Sequence, residues 1–160
     1  DENGQGNPYA FYTYSVQGAK VRVNLYTGKI SVEKVIAAFD AGTVINPTLF
    51  EGQIEGAIAM GLGYALSEEI KLSKGIVKNN NFDEYIIPMS MDMPETETIT
   101  IQSFDPEGPF GAKGVGEPAV ISTAPAIANA VSIATNKEFF NLPLSLEEVS
   151  NVLKEREATT

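Results

Sequence analysis

Residues 46–66 read NPTLFEGQIEGAIAMGLGYAL, and their reading decides the fold class. Asn46 followed by Pro47 is a helix start: the Asn side chain can cap free amides, and Pro is preset for the first turn. Phe50, Ile54, Ile58, Leu62 and Leu66 then recur every four residues, a stripe that a helix buries. Ala57, Gly61 and Ala65 run beside it one turn apart, with Gln53 at the head of that row. Glycine costs a helix about 1 kcal/mol relative to alanine. Gly52, Gly56, Gly61 and Gly63 therefore imply close approach, either by another packed element or by a ligand.

Strands flank this helix. Residues 11–16 are aromatic and β-branched, and Val21, Val23 and Leu25 alternate with polar neighbours. Tyr26-Thr27-Gly28-Lys29 is a tight turn, and residues 30–39 form the return strand. The first forty residues are thus expected to be an antiparallel β meander, closed by the turn signal Asp40-Ala41-Gly42. Downstream, residues 70–77 around Ser73-Lys74-Gly75 predict a hairpin, and residues 98–103 alternate as a strand. The tail carries a capping box, Ser145 with Glu148, and an apolar face of Leu146, Val149, Val152 and Leu153. The expected class is α+β: an antiparallel β meander and hairpins packed with two buried glycine/alanine-rich helices and a C-terminal amphipathic helix. The 160 residues fit one unit, divisible into two fused lobes at about 1–78 and 79–160.

Composition narrows the chemistry. With 21 acidic and 11 basic residues, the net charge of −10 argues against nucleic acid and against an anionic membrane surface. There is no Cys and no His, which excludes disulfides, iron–sulfur ligation, thiol or His-based catalysis and ordinary zinc sites within these residues. Zero Cys fits a reducing, cytoplasmic setting. The first residue is Asp1 rather than Met, which suggests a processed chain or a piece of a longer one. No stretch of 18 residues is apolar without Gly or polar breaks, so no membrane span is expected.

The chemically informative stretch is Gly108-Pro-Phe-Gly-Ala-Lys-Gly-Val-Gly-Glu-Pro118. Glycines 108, 111, 114 and 116 let backbone amides approach a ligand closely. The spacing is not that of a phosphate-binding P-loop, since Gly114 follows Lys113. Glu117-Pro118 is expected to open a helix that contains no charged residue as far as Asn136, buried nearly all round and kinked at Pro125. Glu117 is then a lone carboxylate at the mouth of a neutral helix, suited either to act as a general base or to cap the helix in solvent. Asp40 reads as a structural turn residue and Asn46 as a cap.

These residues resemble a known family. The segment from Gly108 to Pro118, with its Val115-Gly116-Glu117 core, is similar to the glycine-rich loop of the molybdenum hydroxylases, the xanthine dehydrogenase and aldehyde oxidoreductase family. The same order continues through Tyr26-Thr-Gly-Lys29, Asp40-Ala-Gly42, Asn46-Pro47, Gly52-Gln-Ile-Glu-Gly56 and Gly61-Leu-Gly63. It extends to Asp83-Glu-Tyr85, Ile87-Pro88, Asp92-Met-Pro94, Ala126 to Ala130 and Leu142-Pro-Leu144. Roughly residues 8–155 are covered.

The resemblance implies the C-terminal part of a molybdopterin-binding subunit. Glu117 becomes the general base at the Mo–OH group in the hydroxylation of an electron-poor carbon by water-derived oxygen. Gln53 would hydrogen-bond the pterin, and Ala112, Lys113, Gly114, Val115 and Gly116 would line it, the last four through their amides. No residue here need ligate molybdenum, which the pterin holds. A purine-like heteroaromatic is the leading substrate, with an aldehyde or nicotinate as alternatives. The chain is expected to be incomplete alone, with the upstream half of the subunit and domains or chains carrying 2Fe-2S and FAD as partners in an oligomer. Whether the pterin is a cytosine dinucleotide stays open. Two other readings are a non-catalytic cofactor or interaction domain, and an anion-binding loop for a nucleotide.

Overall fold

The computed structural model describes residues 3, 4, 6 and 12–157, and the side chains among them up to residue 154. Phe11, at the head of the first expected strand, lies outside the described residues. Strand β1 (Ser15–Val23) runs unbroken where the sequence predicted two separate strands. It pairs antiparallel with β2 (Ile30–Asp40), from Ser15 opposite Phe39 to Val23 opposite Ile30. The register shifts by one between Lys20 and Val21, leaving Glu33 as the extra residue. Its carboxylate is paired with Lys20 and Arg22 across the bulge. The turn is the expected one. Asn24 Oδ1 accepts from the amides of Tyr26 and Thr27, both at 3.0 Å, and Gly28 adopts φ +72°.

Helix α1 spans Pro47–Leu66, with Asn46 Oδ1 accepting from the Leu49 amide at 3.1 Å. The hairpin of β3 (Leu72–Ser73) and β4 (Ile76–Val77) turns through Lys74 and Gly75, both at positive φ. Strand β5 (Glu95–Ile101) then returns to the first sheet and pairs parallel with β2, giving the order β1-β2-β5. The expected antiparallel meander is therefore corrected to one hairpin and one parallel neighbour. Parallel pairing needs a long crossover, and α1 with the following hairpin supplies it. The residues on either side of position 78 share this sheet.

The second helix departs from expectation. Residues Glu117–Thr135 are long and apolar enough for a bilayer span by length and composition, contrary to the sequence reading. They do not form one helix. A short 3-10 turn covers Glu117–Val120, and α2 runs over Thr123–Thr135. Pro125 is the cause: in a continuous helix it would owe a hydrogen bond to Ile121 and its ring would strike that carbonyl. The helix restarts instead, with Pro125 in its first turn where the missing amide costs nothing and no kink is needed. At 13 residues, α2 is about 20 Å long, short of a hydrocarbon core of about 30 Å. Nor is the run from residue 117 to 135 buried all round: Ile121, ahead of α2, and Ile133, within it, are exposed. Helix α3 (Leu146–Glu157) starts at the expected cap, Glu148 N donating to Ser145 Oγ at 3.0 Å. Val149 and Leu153 are buried, whereas Leu146 is not.

The core lies on one side of the sheet. Val35, Ala37 and Phe39 of β2 meet Phe50, Ile54, Ala57 and Ile58 of α1, and the Phe39 and Phe50 rings lie 6.1 Å apart. Leu62 and Ala65 of α1 meet Ala124 and Ile127 of α2, and Val131 of α2 meets Val149 and Leu153 of α3. Pairing aligns Val16, Ala38 and Ile99 on the other side, where Val16 and Ile99 are exposed, as is the neighbouring Ile36.

The glycines of α1 divide by role. A methyl group at Gly61 would overlap the Thr123 side chain, so this glycine lets α2 approach. One at Gly63 would overlap Glu68. Gly52 and Gly56 face open space.

Candidate functional site

The site is assembled where the C-terminal end of β2 meets the glycine-rich segment. After β5, the chain turns on Asp105, whose Oδ1 accepts from the amides of Glu107 at 2.9 Å and Gly108 at 3.1 Å. Phe110 and Gly111 take positive φ, 55° and 82°. This brings residues 111–113 alongside 41–43. Thr43 N donates to Gly111 O at 2.9 Å, and Lys113 N donates to Ala41 O at 2.8 Å. Gly42, at φ +62°, is required at this crossing, because a Cβ there would overlap the Gly111 carbonyl.

The crossing carries a buried ion pair. Lys113 Nζ lies 2.7 Å from Asp40 Oδ2, and both side chains are under a tenth exposed. The ammonium also sits 5.7 Å from the centre of the Tyr14 ring. Ser103 Oγ reaches Asp40 Oδ2 at 2.7 Å, and Gly42 N donates to Asp40 Oδ1 at 3.0 Å. Burial pushes the Asp40 carboxyl up. The hydrogen bonds from Lys113, Gly42 and Ser103 and the charge of Lys113 outweigh it and hold the group at about 2. Asp40 is thus the turn residue its pattern predicted and also the counter-charge for Lys113, a pairing that the sequence reading missed. The signal available was Lys113 itself, the single charge between the glycines of a loop.

Beyond Lys113 the chain forms an arch. Among the described residues, the amides of Gly114, Val115, Gly116 and Glu117 donate to no protein acceptor. Gly116 takes φ 136°, ψ −120°, a conformation open essentially to glycine. Gln53 of α1 lies beside it: a Cβ at Gly116 would stand 3.4 Å from Gln53 Oε1. The Gln53 amide group makes no hydrogen bond among the described residues and is exposed. The structure thus brings the helical glutamine and the loop together, although sixty residues of sequence separate Gln53 from Lys113.

A cleft of about 310 Å³ opens at this junction, lined by Leu49, Phe50, Gln53, Ala112, Lys113 and Val115 among others. Four of the residues singled out from the sequence, Gln53, Ala112, Lys113 and Val115, line it. The amides of Ala112 and Lys113 are already engaged, with Pro109 O and Ala41 O respectively, so these residues meet the cleft by other atoms. Glu117 opens the 3-10 turn, is exposed, and has no hydrogen bond or ion pair among the described residues. It stands at the end of the arch with its carboxylate free.

The turn after Glu117 is held from β1. Gln17 Nε2 donates to Ala119 O at 2.6 Å, and Thr123 Oγ1 donates to Gln17 Oε1 at 2.6 Å. Sequence reasoning passed over Gln17, since a polar residue in an alternating strand carries no mark of what it faces. A larger hollow of about 460 Å³, between the C-terminal part of α1 and residues 86–93, contains none of these groups. Among the described residues, no three His, Cys, Asp or Glu side chains gather to hold a metal ion.

The comparisons with known proteins bear on the family. A family model described as a molybdopterin cofactor-binding domain matches residues 1–94. The xanthine dehydrogenase molybdenum-binding subunit of Escherichia coli O157:H7 is 36% identical over 141 residues, covering 87% of this chain and 18% of that protein. The aldehyde oxidoreductase of Megalodesulfovibrio gigas is 35% identical over 152 residues, covering 94% of this chain and 16% of that protein. The crystal structure of the aldehyde oxidoreductase from Desulfovibrio desulfuricans superposes with a TM-score of 0.84 at 35% identity, covering 95% of this chain and 17% of that one. The chain spans less than a fifth of the length of these relatives.

Proposed function

Because the chain belongs to the molybdopterin cofactor-binding domain family, we propose that it forms one wall of the active site of a molybdenum hydroxylase. The observation that carries this reading is that Gln53, Ala112, Lys113 and Val115 line one cleft, Gly116 lies against Gln53, and the amides of Gly114 to Glu117 that follow have no protein acceptor among the described residues. The residues fit a pterin that brings its own metal ligands. The cradle is backbone, with no side chain at Gly114 or Gly116 to obstruct it, and the Gln53 amide can both donate and accept along a pterin edge.

When bound, the molybdenum pterin supplies the acceptor for the electron pair released from the substrate. The chain supplies the rest of this wall. Gly114, Val115 and Gly116 offer amides to the cofactor, Ala112 and Lys113 line the approach to it, and Gln53 fixes the pterin. Glu117 is the general base, taking a proton from the water-derived oxygen that attacks an electron-poor carbon. Docking of the remainder of the subunit over this face would exclude water around Glu117, which the present chain leaves exposed. In the assembled enzyme, Glu117→Gln should abolish turnover while molybdenum content stays near that of the wild type. Wild-type turnover in that variant would refute the assignment.

The substrate is a purine-like heteroaromatic in this proposal, in line with the xanthine dehydrogenase relative; the similarity to aldehyde oxidoreductases favours an aldehyde as the second reading. Steady-state turnover of xanthine against an aromatic aldehyde by the assembled enzyme separates the two. The partners are the rest of the molybdenum-binding subunit and domains or chains carrying 2Fe-2S and FAD, in a cytoplasmic complex, with the pterin in its simple form or as a cytosine dinucleotide. Two uncovered surfaces support a missing counterpart: the α1 face at Leu49, Gly52 and Gly56, and the sheet face at Val16, Ile36 and Ile99.

A further inference from the structure

We propose that Lys113 and Gln17 are positioning residues that string the arch of Gly114 to Glu117 between two neighbouring strands; this rests on the reading of the arch as the segment that faces cofactor and substrate. The arch has few contacts of its own: the Val115 side chain packs against the core, and the Gly114 carbonyl accepts from Thr13 Oγ1 at 3.4 Å. Its four amides have no protein acceptor among the described residues, and Gly114 and Gly116 add no side chain to pack. Its position therefore depends also on its ends, where the shortest side-chain contacts lie.

At the upstream end, the Lys113 ammonium is tied to the last residue of β2 by the 2.7 Å contact with Asp40, which Ser103 and the Gly42 amide hold in turn. At the downstream end, the Ala119 carbonyl, two residues past Glu117, is tied to β1 by the 2.6 Å bond from Gln17. Thr123 completes that clasp and also abuts Gly61 of α1, the helix that carries Gln53. Both tethers thus reach the body to which Gln53 belongs, and they set the distance between Gln53, the amides and the Glu117 carboxylate.

Stability alone does not account for the upstream tether. Exchanging a buried ion pair for apolar side chains is often neutral or favourable, whereas deleting one partner leaves the other charge unpaired. The backbone crossing at Gly42 and Ala112 already joins this loop to β2. What the Asp40–Lys113 contact adds is a defined origin for the arch.

The test uses the assembled enzyme and four variants: Lys113→Met, Lys113→Arg, Gln17→Leu, and Asp40→Asn combined with Lys113→Met. Lys113→Met and Gln17→Leu should lower kcat about a hundredfold, the scale expected for displacement by about 1 Å, with KM little changed. Lys113→Arg should recover most of the loss, since it keeps the charge on Asp40. The double variant removes both buried charges, so its melting temperature should return toward wild type while kcat stays low. Crystal structures of Lys113→Met and Gln17→Leu should show residues 114–118 displaced from Gln53. A double variant that regains both stability and kcat would overturn the proposal. So would an arch that keeps its wild-type position in both single variants. The crystallographic readout judges the arch even if the wild-type enzyme contains no molybdenum pterin, or if Glu117→Gln proves fully active. Those two results would refute the proposed function instead.

Discussion

Replacing Lys113 by methionine should destabilise the folded chain by an amount that depends on pH. In the folded protein the Asp40 carboxyl is held at about 2 against an ordinary 3.8, because the bonds from Lys113, Gly42 and Ser103 overcome the effect of burial. That depression corresponds to about 2 kcal/mol. Since the folded value lies below the unfolded one, the folded state binds fewer protons in this range. The contribution is present in full above 3.8 and is lost as the pH falls through about 2. In Lys113→Met the burial remains and the partner is gone, so the carboxyl rises and the acid sensitivity from this group disappears or reverses. Removing one partner of a buried pair costs about 3–5 kcal/mol when the other is charged. The cost should therefore be largest near neutral pH and shrink by about 2 kcal/mol at pH values near 2. Urea unfolding of wild type and variant, followed by far-ultraviolet circular dichroism across that range, measures the difference directly, and other carboxylates cancel between the two proteins. A cost that stays constant from neutral pH to acid would refute the reasoning, since it would mean that Asp40 and Lys113 do not share the pair's energy.

Three further substitutions probe the packing that builds the site. Gly42→Ala places a methyl group on the Gly111 carbonyl at a left-handed backbone position; strain of about 1–2 kcal/mol for the backbone alone adds to the overlap, and thermal unfolding should register a loss of more than that. Gly61→Ala should destabilise the chain by about 1–2 kcal/mol, since overlap with Thr123 outweighs the gain in helix propensity. Gly56→Ala, on the open side of the same helix, should stabilise the chain by up to about 1 kcal/mol. Denaturation midpoints of the two variants should move in opposite directions, and movement in the same direction would contradict the division of roles among these glycines.

Much of the local structure was legible because its causes are local. The Asn46 cap, the hairpin turn on Asn24 and Gly28, the positive-φ turn at Lys74-Gly75 and the Ser145 cap each follow from a side chain or a missing one within a few residues. The buried stripe of α1 was legible for the same reason, since period alone marks one face of a helix. The second helix was misjudged because an uncharged run says nothing about continuity. Pro125 broke it, and apolar residues of the run such as Ile121 and Ile133 are exposed. The parallel strand β5 was not visible as such, because pairing partners distant in sequence leave no periodic trace.

The candidate site divides along the same line. Motifs resembling a family pointed to Gln53 and to residues 112–117, and their chemical types follow from the sequence: backbone amides freed by glycine, one amide side chain, one carboxylate. By itself, then, the sequence determined the α+β class, the caps and turns, and the family. Only the tertiary structure decided that Gly116 lies against Gln53, that Lys113 is neutralised by Asp40, and that Gln17 grips the turn after Glu117. The physical reason is range. Dihedral preference and periodicity act over a few residues. Charge pairing, hydrogen bonding and close packing act over a few ångströms, between residues that only the folded chain makes neighbours.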